Sequence, residues 1–449
     1  DGIESLFDTR ALGGAAQGPN GLQIGGYGGV TAPSELSYAD VGELLVFNTA
    51  LSATQRLQME QYLQAKWNGV LPTTTAVNIT AAGATFDLNG VNQTVGSISA
   101  VAGSEIKLGG ATLTNGKNNA STSVSGQITG SGGLNKTGTG TLTLDGTAPN
   151  TYTGTTTVRQ GNLALSKTAN VVAVPGDIVM ANNLAPSLWT INDGQLGGSG
   201  VLSFTTEINT PGGNARFMLE GTTQSLAGVV HTANTVGSRQ GVIQNSESGF
   251  GGPNNTGLGT LVLTGSGVYA YDGYLRNANG TLSITKSGSG TQTLSGDRIT
   301  YTGNTTVSAG TLNLTNTTAF ASSTINNSAN VVFLANGNNA SIINSILSGN
   351  GTWSVDGPGG GTIYENRVIL RGNGSNNTGT ISVVNSGKLW VDRVGNAIGD
   401  SAKVDVGVNG RFQIYQGIAE TVGGLDGTGL VVGGDAAGTS ALTVGGGDV

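Results

Sequence analysis

From about Val77 to the last residues, apolar and polar side chains alternate in short runs, each opened by a glycine. The pattern is plainest in Gly140-Thr-Leu-Thr-Leu144, Gly259-Thr-Leu-Val-Leu263, Gly280-Thr-Leu-Ser-Ile284 and Gly310-Thr-Leu-Asn-Leu314. Period two puts Leu, Val and Ile on one face of a strand and Thr, Ser and Asn on the other. Later runs keep the pattern with different residues: Val384-Asn-Ser-Gly387 leads to Leu389 and Val391, and Val408-Asn-Gly410 leads to Phe412 and Ile414. Gly387 and Gly410 lie 23 residues apart, a length that suits one coil of a solenoid. Self-similarity of this kind predicts a stacked repeat with an apolar core and outward Thr and Ser. If each coil rises by the strand spacing of ~4.8 Å, roughly 370 residues stack to roughly 70–80 Å. Asn at the turns is expected to form hydrogen-bonded ladders, and Gly to supply positive φ at corners. An antiparallel sandwich of short strands with glycine turns is the competing fold.

The first 71 residues read differently. Gly21–Gly29 is glycine-rich, Val41-Gly-Glu-Leu-Leu-Val-Phe47 has the composition of a strand, and Ala53–Trp67 is predicted as a helix. Ser52 is its N-cap, and Gln55, three residues on, completes a capping box. Met59, Tyr62, Leu63 and Trp67 form one apolar stripe, expected to pack on the preceding strand. Asn68-Gly69 ends the helix and Pro72 opens a threonine-rich linker. The expected division is therefore 1–71 and 72–449.

Composition narrows the function classes. The 78 glycines would fit a disordered linker, but the persistent alternation and a charged fraction of only 10% favour ordered β-structure. The absence of Cys excludes disulfides and thiolate metal sites. A net charge of −7 without any Lys/Arg cluster argues against a nucleic-acid partner. No apolar stretch reaches the length of a transmembrane segment. The chain opens at Asp1 with neither Met nor a signal peptide, as expected of a processed protein or a fragment.

Longer blocks recur in fixed order. Gly132-Gly-Leu-Asn-Lys-Thr-Gly-Thr-Gly-Thr-Leu-Thr-Leu144 is followed by Asn150-Thr-Tyr-Thr-Gly-Thr-Thr-Thr-Val158 and Gly161-Asn-Leu-Ala-Leu165. The order returns in Thr285-Lys-Ser-Gly-Ser-Gly-Thr-Gln-Thr-Leu294, Ile299-Thr-Tyr-Thr-Gly-Asn-Thr-Thr-Val307 and Gly310-Thr-Leu-Asn-Leu314. These blocks resemble the autotransporter-associated β-strand repeat of bacterial surface and passenger proteins. The resemblance implies an all-β fold, a right-handed parallel β-helix, and an extracellular or cell-surface location in a bacterium. In the first region, Gly42-Glu-Leu-Leu-Val-Phe-Asn-Thr-Ala-Leu-Ser52 with Gln61-Tyr-Leu-Gln-Ala-Lys-Trp67 looks like the closing strand and helix of a laminin-G/concanavalin-A-like lectin domain. Only the final third of such a domain is represented, so a complete sugar site is not expected there.

Candidate chemistry is sparse, and no catalytic, cofactor-binding or metal-ligating residue is assigned. A β-helical polysaccharide lyase or hydrolase would cluster Asp with Arg or Lys on one face, whereas the 26 acids here are scattered. Asp392-Arg393 and Asp297-Arg298 are the tempting neighbours, but adjacent strand residues are expected to point to opposite faces. His231, the single histidine, has no partner that the sequence identifies, and a triad needs one. Gly357-Pro-Gly-Gly-Gly361 and Gly423-Gly424 lack the lysine and the helix of a phosphate loop. Isolated turn acids, Asp426 and Asp435, are where a calcium ion would be sought. Tyr152 and Tyr301 occupy matching repeat positions, either as a sugar-stacking column or, as favoured here, as aromatic filling of a core corner.

The expected function is that of an extracellular structural protein rather than an enzyme: a rigid β-helical fibre, stalk or surface layer. The alternatives are an adhesin that binds surface glycans and, third, a polysaccharide lyase or hydrolase. The final run, Leu442-Thr-Val-Gly-Gly-Gly-Asp-Val449, stops in mid-pattern, from which head-to-tail self-association is expected.

Overall fold

The structure, a computed structural model, describes residues 26–29, 32–36, 51–56, 58–59, 69–205, 214–232, 241–315, 317, 320–335, 340–357, 365–434 and 439–445. The chain divides into two compact units, Asp1–Pro72 and Thr73–Val449. In the first, Gly26–Gly29 pairs antiparallel with Ala32–Leu36, with a register shift between Tyr27 and Gly28. Residues 53–56 and 58–59 are helical. The backbone N–H of Ser52 donates to Gln55 Oε1 at 3.0 Å, and the N–H of Gln55 donates to Ser52 Oγ at 3.3 Å. That reciprocity is the capping box expected from the sequence. The strand predicted over Val41–Phe47 and the remainder of the helix, with Tyr62, Leu63 and Trp67, lie outside the described residues. So does most of the segment that carries the lectin-like resemblance.

The second unit is a β-solenoid of about 15 turns. Between Ala76 and Val444, the strand ladders of the described residues are all parallel, which removes the antiparallel sandwich. The first half is dominated by a 14-stranded sheet; the second half is walled by sheets of six, eight and five strands. Each ladder joins a strand to its counterpart one coil later. Lys388 pairs with Arg411, the 23-residue spacing read from the turn glycines. Coil length is not constant, since Thr311 pairs with Asn330, 19 residues on, whereas Thr223 pairs with Thr260, 37 residues on. The ladder continues across the longer coil as across the shorter one. Thr156–Lys167 merges two predicted strands into one that bends at Gly161, with register shifts on either side of Gln160.

Register turns the alternation into columns. Leu142, Leu163, Leu188, Phe217, Ile243 and Leu275 follow one another through five successive pairings, and all are buried. A second column runs Leu312, Val331, Trp353, Ile381 and Val404. Trp353 is fully buried and stacks on Phe333, with ring centroids 6.1 Å apart and planes inclined by 15°. The expected asparagine ladders take another form. Asn150 Oδ1 accepts from the N–H of Ile128 at 2.9 Å, and its Nδ2 donates to the Ala173 carbonyl at 2.8 Å, so one amide bridges three coils through backbone groups. Asn also holds eight of the thirteen positive-φ positions not occupied by Gly among the described residues. Both roles suit a short amide that bonds locally and tolerates left-handed backbone.

Buried polar groups are matched to backbone in the same manner. The inward Gln292 receives the N–H of Val229 at 3.1 Å and donates to the Val229 carbonyl at 3.0 Å, standing in for a missing strand. Glu420 is buried and accepts the N–H groups of Ile398 at 2.8 Å and Ala397 at 3.1 Å. Burial raises its carboxyl to about 7 against the opposing pull of those N–H bonds. A raised carboxyl contributes stability that is present below about pH 4.5 and lost as pH rises through about 7. Denaturant midpoints measured from pH 4.5 to 8 are expected to fall across this window, and Glu420→Gln to remove that part of the decline. Trp353→Ala should lower stability by about 3–5 kcal/mol in the same assay, because a fully buried indole leaves a cavity between fixed coils.

Candidate functional site

The repeat itself contains a built site that the sequence reading passed over. Lys136 and Lys286 sit at inward positions where the alternation calls for an apolar residue, and both are buried. Lys136 Nζ donates to the carbonyls of Thr137 at 2.6 Å, Gly138 at 2.8 Å and Gln160 at 3.2 Å. Lys286 Nζ donates to Gly288 and, at 3.4 Å, to Ala309. These are matching atoms: a glycine carbonyl two residues on, and the carbonyl before the next coil's turn glycine. Those glycines, Gly161 and Gly310, have φ of 64° and 66°, and a Cβ at Gly310 would crowd both the Gly288 carbonyl and the ammonium. Burial lowers Lys136 to about 8 and lowers Lys286 as well. The group's chemistry is structural, closing a corner where several carbonyls converge on one ammonium. The signal in the sequence was a lysine at period two inside an apolar run, Leu134-x-Lys136 and Ile284-x-Lys286.

Tyr152 and Tyr301 lie toward the other end of these strands, where Thr156 pairs with Leu134 and Thr305 with Ile284. Both are fully buried, and each hydroxyl bonds a threonine four residues on, Thr156 Oγ1 and Thr305 Oγ1, at 2.6 Å. Burial raises both phenols, with the threonine hydroxyls acting the other way. Tyr301 meets Phe320 edge-on at 5.6 Å. The core-corner reading is thus the one observed, and a sugar-stacking column at these positions is excluded by burial.

The remaining sequence candidates separate. His231 has an acid after all: its Nδ1 bonds Asp272 Oδ1, while Nε2 is buried and bonds nothing among the described residues. Stacking of Gly228–Thr232 beside the coil ending at Tyr271 brings the two together across 41 residues, a distance no sequence motif reveals. Arg298 lies over the Tyr274 ring at 5.1 Å rather than on Asp297. Asp426 holds Lys403 at 2.9 Å and the N–H of Gly427 at 2.8 Å. Asp435 and residues 358–361 lie outside the described residues. Among the described residues no group of three or more His, Cys, Asp or Glu is placed to hold a metal.

Asp392 and Arg393 require a correction. They do not point to opposite faces: both line one cavity of about 560 Å³, with Arg367, Ile369, Arg371, Trp390, Tyr415, Gln416 and Ile418. The strand Lys388–Val391 ends before Asp392, and Arg393 has φ of 73°, so strand alternation no longer applies. Three strands in register build the wall: Arg367–Leu370, Lys388–Val391 and Arg411–Ile414. Their inward residues, among them Val368, Leu389 and Phe412, join the core, and the outward row carries Ile369 and Trp390. Trp390 is only 4% exposed, held between the Arg367 guanidinium at 4.8 Å and the Tyr415 ring at 6.2 Å. Arg371 grips one oxygen of Asp392 through Nη2 at 2.7 Å and Nε at 3.1 Å, and Arg393 Nε stands 3.7 Å from the same atom. Two guanidinium groups, Arg371 and Arg393, against the one carboxylate of Asp392, beside aromatic rings, make this an anion-attracting groove on an otherwise acidic protein.

Two segments, residues 134–165 and 284–314, match the family model described as passenger-associated-transport-repeat. They contain both buried lysines, Lys136 and Lys286, and both buried tyrosines, Tyr152 and Tyr301. No curated protein and no solved structure matched the chain. The chain therefore carries two segments similar to that repeat inside a longer parallel β-solenoid. Lys136→Met is expected to reduce stability by about 1–3 kcal/mol in chemical denaturation, since three carbonyls would lose the charged donor that Lys136 gives them. An unchanged midpoint would show that water replaces the ammonium there.

Proposed function

We propose that the chain is a rigid extracellular passenger segment of a bacterial surface protein, whose task is mechanical: to extend, to coat or to hold other parts away from the cell. The observation that carries this reading is the coincidence of segments similar to passenger repeats with parallel ladders and buried apolar columns among the described residues. A solenoid of this construction resists bending because each coil is bonded along its length to the next, and its stability adds up coil by coil. In this reading the repeats are scaffold and perform no catalysis. Leu430 and Val431 are exposed on the last strand of the five-stranded sheet, an edge able to accept a further coil from the same chain or from another copy. Head-to-tail self-association belongs to the same proposal. A second reading, a surface protein that binds glycans, draws its support from the arginine–aromatic groove.

Limited trypsin digestion under native conditions, followed by mass spectrometry, tests the scaffold reading. Fragments of the solenoid should persist while an unfolded control is consumed, despite the 19 Lys and Arg of the chain. Rapid cleavage throughout residues 73–449 would count heavily against it. Electron microscopy of the same sample should show rods of about 70 Å from about 15 stacked turns. Filaments with that axial repeat would establish end-to-end assembly.

A further inference from the structure

We propose that the cavity walled by Arg371, Trp390, Asp392, Arg393 and Tyr415 is a binding site for a saccharide bearing a carboxylate, a hexuronate-type residue. This inference deepens the second, glycan-binding reading by naming the ligand class, and it does not depend on the scaffold reading.

The volume of about 560 Å³ falls within the range of small-ligand sites, about 300–1,000 Å³. Tyr415 is 41% exposed and stacks on Trp390, an aromatic surface at the groove suited to the apolar side of a pyranose. The Arg393 side chain is 71% exposed at the rim, and Arg371 lies deeper, fixed by two hydrogen bonds to Asp392. A carboxylate placed between these guanidinium groups gains charge-assisted hydrogen bonds with planar geometry. Asp392 discriminates among anions. It is the one carboxylate of the lining, suited to accept from sugar hydroxyls, and it repels a dianionic phosphate more strongly than a single carboxylate. Neutral sugars, in turn, leave an excess of positive charge unanswered.

Backbone conformation supplies an independent observation. Arg393 occupies the left-handed region at φ 73°, which a long side chain adopts at an energetic cost. Glycine would be the relaxed choice there, as in other turns of this chain. The strained conformation is what carries the guanidinium to the same side as Asp392, and strain of this type is concentrated at ligand-holding positions.

The test is isothermal titration calorimetry of the full chain with a trimer of galacturonic acid, a neutral galactose trimer, and inorganic phosphate. The uronate trimer should bind, with the neutral trimer and phosphate each weaker by about tenfold or more. Arg393→Gly is the informative variant, since it relieves the left-handed strain: binding should drop by about tenfold while thermal stability holds or rises. Tyr415→Ala should weaken binding as well, and Arg298→Ala, remote from the groove, should not. No heat with the uronate trimer up to about 10 mM overturns the proposal. So does equal affinity for the neutral trimer or for phosphate, or uronate binding that survives both Arg393→Gly and Tyr415→Ala.

Discussion

Everything in the second unit depends on one constraint: the backbone N–H and C=O groups of each coil must meet those of the next in parallel register. A strand in such a stack has no partner within its own coil, so its main-chain groups are satisfied only if the chain returns to the same place one level up. This explains why coil length can vary from 19 to 37 residues without breaking the ladders. The corner positions must recur; the number of residues between them need not. It also explains the columns, since residues that pair in register stand directly above one another, and an apolar column follows from the same requirement.

Corners are the difficult part of this design. There the strands turn, carbonyls crowd together, and a backbone donor is no longer in line. The chain answers with side chains that imitate backbone: Lys136 and Lys286 donate to turn carbonyls, Asn150 bridges coils above and below, and Gln292 replaces a strand partner for Val229. Burying an ammonium is costly unless its donors are used, and here they are used on turn carbonyls. Tyr152 and Tyr301, toward the other end of the same strands, are buried and lend their hydroxyls to threonines. The matched repeat is thus less a strand motif than a corner motif, with strands attached.

Legibility was uneven for physical reasons. Period-two alternation needs only neighbouring residues, so the strands and their buried faces could be read directly, as could the capping box of Ser52 and Gln55. The groove was not legible, because it is assembled from three coils: Arg371, Asp392 and Tyr415 are neighbours only through stacking. Alternation even misled at Asp392-Arg393, where the strand had already ended and a positive φ re-aimed the arginine. His231 illustrates the same limit, since Asp272 reaches it across a coil.

By itself the sequence determined that this region would be β-structure stacked in repeats, and which side chains would face inward, because both follow from local alternation and from the recurrence of turn residues. Only the tertiary structure decided which residues of different coils stand side by side. That placement depends on coil length, and each inserted residue shifts what lies above what. The arginine–aromatic groove, the lysine-sealed corners and the His231–Asp272 pair all belong to this second kind of information.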